Sequence, residues 1–304
     1  MARLGRETGA GMRITEATCK SMLVASKLPA CDYVVNPYTG CSFACAYCYA
    51  SFMGRFCGES IEAWGHYLSV KVNAVEVFRR DLGRLPATRR GATILLSSVT
   101  DAWQGPEKKY RLTRGVLEAL REDHYPGTVA MLTKSPLVLR DLDVIAALAR
   151  KEVGVTITAT DDAIGRFLEA QAPSAADRLR TLAELNAAGI PTYAFVGPLL
   201  PHYRHRRDLL DELFRRIRDT GTRALFVEHL NTSPYIQQRL QPLVARAEAE
   251  VRAVYRTAHH ADHRRALSGM VMDLVGKYGF EIRLGGVIEH QADRRGAAVP
   301  SGPP

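Results

Sequence analysis

Residues 32–50 read DYVVNPYTGCSFACAYCYA. Tyr33, Val34 and Val35 form a short apolar run that breaks at Pro37 and Gly40, the pattern of a strand running into a loop. The loop carries Cys41, Cys45 and Cys48, three of the chain's six cysteines. A C-x3-C-x2-C spacing arises by chance in fewer than about one in a hundred chains of this length. Thiolates this close on one loop can wrap a single soft metal centre. Zinc prefers four ligands, and no matched second pair accompanies these three. A cubane iron–sulfur cluster held by three cysteines keeps one iron uncommitted, and that iron can take a second molecule. A structural zinc site and free thiols are the plainer alternatives. Cys19, Cys31 and Cys57 lie scattered around the loop and read as small buried hydrophobes, with an auxiliary cluster as the sharper alternative.

Outward from the loop, strand-like and helix-like segments alternate. ATILLSSV (92–99), GTVAMLTK (127–134), VGVTITAT (153–160), IPTYAFVGPLL (190–200) and TRALFVEHLN (222–231) read as strands, and residues 32–40 add another. Apolar residues at helical spacing occupy 64–85, 107–123, 139–151 and 206–221. Ser174 is suited to cap a further helix and Gly189 to end it. This alternation implies a parallel sheet with right-handed crossovers. The strands are too few for a complete eight-fold barrel. The expected fold class is therefore α/β, a partial (β/α)6 TIM-type barrel of parallel strands, with a doubly wound sheet as the alternative. In either, ligands gather at the C-terminal ends of the strands. The expected organisation is an N-terminal extension at 1–30, a core barrel at 31–235, a C-terminal helical segment and strand at 236–290, and a disordered tail at 291–304. One or two long helices are expected between Pro242 and Tyr278, and a last strand over 280–290.

Composition narrows the class further. The 304 residues are 46% hydrophobic and 24% charged, a globular balance with enough chain to bury a large core. No run of about 18 uncharged apolar residues appears, so neither a transmembrane helix nor a membrane partner is expected. The start, MARLGRETGAGMRITEA, lacks the apolar stretch of a secretory signal. A cytoplasmic location is expected, where clustered thiols stay reduced. Lys and Arg total 41 against 32 Asp and Glu, a net charge of +9 that suits a polyanionic partner without identifying one. PHYRHRRD (201–208), beside the expected barrel mouth, reads either as a phosphate-holding stretch or as an ordinary charged loop. His259, His260 and His263 read as solvated helix surface, with a metal pair as the sharper alternative.

The cysteine loop resembles the signature of the radical S-adenosylmethionine (SAM) superfamily, with Tyr47 in the aromatic slot before the last cysteine. NPYTGCSFACAYCYA, SSVTDAWQGPEKKYRLTRGVLEAL, LTKSPLVLRDLD and GIPTYAFVGPLLP together resemble its spore photoproduct lyase-like branch, over residues 20–235. The resemblance implies a partial (β/α)6 barrel and a [4Fe-4S] cluster ligated by Cys41, Cys45 and Cys48. It implies that the fourth iron chelates the amino and carboxylate groups of SAM. It further implies reductive cleavage of SAM to methionine and a 5'-deoxyadenosyl radical that abstracts a substrate hydrogen. The electron would come from a flavodoxin- or ferredoxin-like donor. Carried over residue by residue, Tyr47 lies by the adenine, and Ser98, Thr100 and Asp101 lie where the SAM amino group is contacted. Lys134 matches a lysine that pairs with the SAM carboxylate, since a carboxylate held beside a cluster needs charge-assisted donors. Thr158 reaches the ribose or carboxylate, and Phe195 and Val196 pack the adenine. Glu228 and Asn231, at the end of the sixth strand, face the expected substrate site or else bond the following loop.

One position departs from the branch. Lyases of this kind carry a cysteine on the second strand as hydrogen-atom donor to the product radical, and Ser98 stands there in this chain. A serine O–H bond is too strong to give up a hydrogen atom readily. Tyr49 matches a tyrosine used in radical transfer, so Tyr49 and Ser98 are the candidate catalytic residues. The expected protein is a radical SAM enzyme acting on an unknown substrate, with lyase, oxidoreductase and transferase chemistry all open. Residues 232–290 are expected to cover the substrate. One rival is a nucleic-acid lesion lyase, which the +9 charge favours and Ser98 opposes. Another is a non-catalytic iron–sulfur or nucleic-acid-binding protein.

Overall fold

In the computed structural model, which describes residues 11–290, the strand-like runs pair side by side in chain order. The stretches 1–10 and 291–304, including the tail expected to be disordered, lie outside the described residues. The strands are β1 (Arg13–Ala17), β2 (Val24–Ala25), β3 (Tyr33–Val35), β4 (Tyr38–Thr39), β5 (Tyr67–Lys71), β6 (Ile94–Leu96), β7 (Thr128–Thr133), β8 (Arg150–Thr156), β9 (Thr192–Leu199), β10 (Ala224–His229) and β11 (Glu281–Ile282). The larger sheet has the order β11-β10-β9-β8-β7-β6-β3-β2. Neighbours from β3 through β6–β10 are all parallel, β11 extends the sheet in parallel, and β2 is antiparallel at the opposite edge. Sequential order with two separate edges is a partial TIM-type barrel, and it contains no reversal of strand order, the mark of a doubly wound sheet. A second sheet, β1-β5-β4, stands directly before the cysteine loop, because β4 ends at Thr39.

Side-chain alternation decides which face of the barrel is open. Val35, Ile94, Leu96, Met131, Val153, Val155, Val196 and Val227 are all 0% exposed and form the outer layer under the helices. On the other face Leu95, Leu132, Phe195, Phe226 and Glu228 are only partly buried. Register confirms the grouping, since Phe226 pairs with Phe195, Thr156 with Phe195, and Leu132 with Gly154. Tyr193 crosses this inner face and donates to Met131 O over 3.0 Å. Its ring covers Gly154, where a Cβ would lie 2.1 Å from Tyr193 Cζ.

Several expected elements differ. Residues 64–85 do not form one helix: Tyr67–Lys71 is β5, paired with β1 on one side and β4 on the other, and the helix spans only Ala74–Gly83. Two strand partners capture a segment whose spacing fitted either period. The expected helix 107–123 is broken at Arg111, whose φ is +51°. The cause is the buried Glu107 carboxylate, which accepts the Thr113 and Arg114 amides at 3.1 and 3.3 Å and starts a new helix at Leu112. Residues 139–151 yield only the helix Leu142–Ala147, because β8 begins at Arg150. The C-terminal segment holds three helices, Pro234–Arg246, Ala249–Thr257 and Ala261–Tyr278, with Pro242 inside the first. Past β11, Ile288 returns to β10, donating to Val227 O and accepting from His229 N. The cap at Ser174 forms as expected, its Oγ accepting Asp177 N at 3.1 Å, and Gly189 has φ +69°. No helix among the described residues is long and apolar enough to cross a membrane.

Gly154→Ala is expected to destabilise the protein by about 1–3 kcal/mol, because the added methyl meets an aromatic ring anchored by its own hydrogen bond. Chemical unfolding measures this. A change within about 0.5 kcal/mol of zero, the range of ordinary surface substitutions, would contradict the packing described.

Candidate functional site

The cysteine loop is held from four sides. It begins at Gly40, where φ is +96° and a Cβ would lie 2.5 Å from Tyr67 O, so only glycine fits the turn. Gln104, fully buried just beyond the end of β6, accepts Ser42 N at 2.8 Å and donates to Thr100 Oγ1 at 2.9 Å. Thr100 Oγ1 in turn donates to Gly40 O at 2.5 Å. Ala46 N donates to Leu168 O at 2.8 Å, tying the loop to the segment after β8. From the C-terminal segment, Arg239 donates to Cys45 O and Ala46 O at 3.2 Å each and to Ile61 O at 2.6 Å. Tyr235 OH adds a bond to Tyr49 O at 3.1 Å.

The three thiols share one buried space. Cys41 and Cys45 are 8% and 5% exposed, and Cys48 is half-buried. Burial, then Asp101, Cys45 and Cys48, push the Cys41 thiol well above its ordinary value. Burial also pushes the Cys45 thiol up to about 12, although Lys134 beside it pulls the other way. These thiols are costly to ionise alone and suited to a cationic partner. Three thiols with no fourth ligand beside them among the described residues suit a cluster that keeps one iron open, whereas a structural zinc site takes four. The remaining cysteines have other neighbours. Cys19 Sγ lies 3.4 Å from Asn73 Oδ1 and Cys31 Sγ 3.3 Å from Ser26 Oγ, while Cys57 bonds Ser69.

A charged network lies beside the loop. Glu169 is 2% exposed and accepts hydrogen bonds from Tyr47 OH and Arg178, and from Thr158 Oγ1 at 3.0 Å. Arg178 also donates to Pro173 O at 2.9 Å and Thr156 O at 3.3 Å, so each of its three nitrogens has an acceptor. Lys134 Nζ stands 4.0 Å from Glu169 Oε1 and 5.7 Å from the centre of the Tyr47 ring. Burial alone would raise the Glu169 carboxyl, but Arg178 and Lys134 outweigh it and hold the group below its ordinary value. Burial alone would lower the Lys134 ammonium, and Cys45 and Glu169 turn that shift upward. Both groups therefore stay ionised at neutral pH.

The other expected residues divide. Ser98 is locked to Asn36, its N donating to Oδ1 and its Oγ accepting from Nδ2, both at 3.0 Å, and its carbonyl accepts from Tyr49 OH. Tyr49 and Ser98 are adjacent, but through the Ser98 backbone carbonyl rather than its hydroxyl. Both Asp101 oxygens are engaged: Trp103 N and Thr133 Oγ1 donate to one at 2.9 and 2.7 Å, and Lys134 N donates to the other at 2.8 Å. It holds the ends of the second and third barrel strands together. Phe195 lines the inner face, whereas Val196, the next residue on the strand, points into the outer layer and cannot pack the same ligand. Glu228 is on the inner face, 3.3 Å from His290 Nε2, and burial raises its carboxyl. Asn231 accepts Ser233 N at 2.9 Å and shapes its own loop. Of the three histidines, His263 is buried against Thr257 at 3.2 Å.

Glu169, Arg178 and Arg239 did not emerge from sequence reading. Arg239 carried a signal, a charge on the stripe of the buried Ile236 and Leu240. The Glu169–Arg178 pair carried none, because each reads as an ordinary helix-surface charge.

Known proteins agree with this architecture. An uncharacterized protein of Methanocaldococcus jannaschii is 33% identical over 200 residues, covering 66% of this chain and 70% of its own. An uncharacterized protein of Mycobacterium tuberculosis is 31% identical over 285 residues, covering 88% of this chain and 82% of its own. Among solved structures, spore photoproduct lyase complexed with dinucleoside spore photoproduct superimposes with a TM-score of 0.67 at 15% identity, over 88% of this chain and 81% of that one. Streptococcus suis SuiB bound to S-adenosylmethionine gives 0.54 at 12% identity, over 90% of this chain and 51% of that one. These likenesses concern the fold. The family model of the radical SAM superfamily matches residues 35–213, so it spans the cysteine loop and most of the barrel. The chain belongs to the radical SAM superfamily.

Proposed function

We propose that this enzyme binds a [4Fe-4S] cluster through Cys41, Cys45 and Cys48 and uses it to cleave SAM reductively. The observation that carries the reading is the preformed loop of three buried thiols beside the Lys134–Glu169–Arg178 network. Bound there, the cluster with SAM on its open iron supplies a 5'-deoxyadenosyl radical for hydrogen abstraction. The chain's own residues bind and orient. Tyr47, held by Glu169, is proposed to lie by the adenine, and Lys134, beside the Tyr47 ring, to pair with the SAM carboxylate. Thr158, whose hydroxyl donates to Glu169, is proposed to contact the ribose or carboxylate of SAM. Ser98 and Thr100 border the loop from the second barrel strand.

Substrate is proposed to occupy the inner face, between Phe195 and Phe226 on one side and Glu228 with His290 on the other. That end of the face offers aromatic contact and the Glu228 carboxylate. The electron is proposed to come from a flavodoxin- or ferredoxin-like donor in a reducing compartment, where thiolate ligands persist. A DNA-lesion lyase activity is the second reading, supported by the likeness to spore photoproduct lyase. Ser98, held by Asn36 where such a lyase needs a thiol, weighs against it.

Cys45→Ala is expected to lose both the cluster and the formation of 5'-deoxyadenosine after anaerobic reconstitution and reduction. A variant that stays brown and still yields 5'-deoxyadenosine would overturn the assignment. Lys134→Met is expected to keep its iron and sulfide while binding SAM tenfold or more weakly, since one charge-assisted bond is worth about 1.5–3 kcal/mol. Equilibrium binding of SAM to the reconstituted variant reads this. Glu169→Gln leaves Arg178 buried without its counter-charge and is expected to destabilise the protein by about 3–5 kcal/mol. Thermal unfolding of the metal-free protein checks it, and an unchanged midpoint would show that Arg178 does not depend on Glu169.

A further inference from the structure

Arg239 is 194 residues from Cys45 in sequence, yet its guanidinium bonds the backbone of a cluster-loop cysteine directly. Its acceptors, Cys45 O, Ala46 O and Ile61 O, are all carbonyls. Among the described residues no carboxylate forms a hydrogen bond or ion pair with it, and Glu62 acts on it only through space, so its positive charge is only partly offset beside the loop. That charge is within electrostatic reach of both the Cys45 and Cys48 thiols. The side chain lies on the same helix stripe as Ile236 and Leu240, both buried. Gln238 and Tyr235 pin the helix on either side, through Glu62 at 2.9 Å and Tyr49 O at 3.1 Å.

A half-buried cation is an expensive way to bind three carbonyls, because taking a charge out of water costs far more than taking out an amide. The charge gains a use if the loop carries a redox centre. Reduction adds one electron, delivered by a flavodoxin- or ferredoxin-like donor, to a cluster surrounded by thiolates that already repel it. A fixed positive charge in a medium of low polarity favours the reduced form. We propose that Arg239 is a positioning residue that clamps the Cys45–Ala46 backbone and, through its charge, raises the reduction potential of the cluster. This rests on the cluster-binding reading above.

The test uses full-length protein reconstituted anaerobically with iron and sulfide, as wild type, Arg239→Gln, Arg239→Lys and Arg180→Gln. Arg180 is an exposed surface arginine paired with Asp177, so its variant controls for general loss of charge. Iron and sulfide content is measured, and the midpoint potential is read by electron paramagnetic resonance across a dithionite titration. Arg239→Gln is expected to shift the midpoint to more negative potential, so that a smaller fraction of cluster is reduced at a given dithionite excess. Arg239→Lys is expected to keep a midpoint near wild type while holding less iron, because it keeps the charge and loses the fork. Arg180→Gln is expected to match wild type in both. A Gln variant with an unshifted midpoint, or a Lys variant shifted as far as Gln, would overturn the inference. If the Gln variant retains no cluster, a Lys variant with a midpoint at the wild-type value supports the inference and one with a midpoint more negative than wild type overturns it. A wild type that takes up no iron and sulfide would overturn the cluster reading and this inference with it, whereas a loaded wild type with unshifted variants overturns this inference alone.

Discussion

Three thiols crowded on one loop repel each other once they ionise, and burial makes ionisation harder still. Holding them together therefore requires fixed backbone geometry and positive charge close by. The structure supplies both from outside the loop. Gln104 and Thr100 set its entry, the amide of Ala46 ties its middle to the chain after β8, and Arg239 grips it from the C-terminal helix. Lys134 and Arg178 bring charge from the third strand and from the helix that follows Ser174, with Glu169 between them as the counter-ion that keeps both in place. The barrel brings these distant residues to one end of the sheet, where strand C-termini converge.

The loop and the six barrel strands were legible because both leave short-range marks. Three cysteines at fixed spacing are rare, and continuous Val, Ile and Leu runs signal strands buried on both faces. Residues 64–85 misled because an apolar spacing can satisfy a helix and a strand alike until partners arrive, and β1 and β4 are those partners. The break at Arg111 was hidden because it depends on the buried carboxylate of Glu107, and burial is a property of the fold rather than of local sequence. Val196 was misplaced by ignoring strand alternation, a rule available from the sequence itself.

The charged part of the site was the least legible. Glu169, Arg178 and Arg239 look like solvated helix charges until the barrel closes over them, and the pairs they form span gaps no periodicity records. Lys134 and Thr158 are expected at the site through family likeness alone, and the structure adds what connects them, the shared carboxylate of Glu169. The inner face remains open around Phe195, Phe226 and Glu228. Its mix of aromatic surface and carboxylate differs from the basic character of the chain as a whole.

The central claim is that the three cysteines carry a cluster whose free iron takes SAM. The most direct measurement is electron–nuclear double resonance on reconstituted, reduced protein mixed with SAM carrying isotope labels in its amino nitrogen and carboxylate oxygens. Hyperfine coupling from both labels to the cluster is the predicted result. A reduced cluster whose spectrum is the same with and without labelled SAM would contradict it.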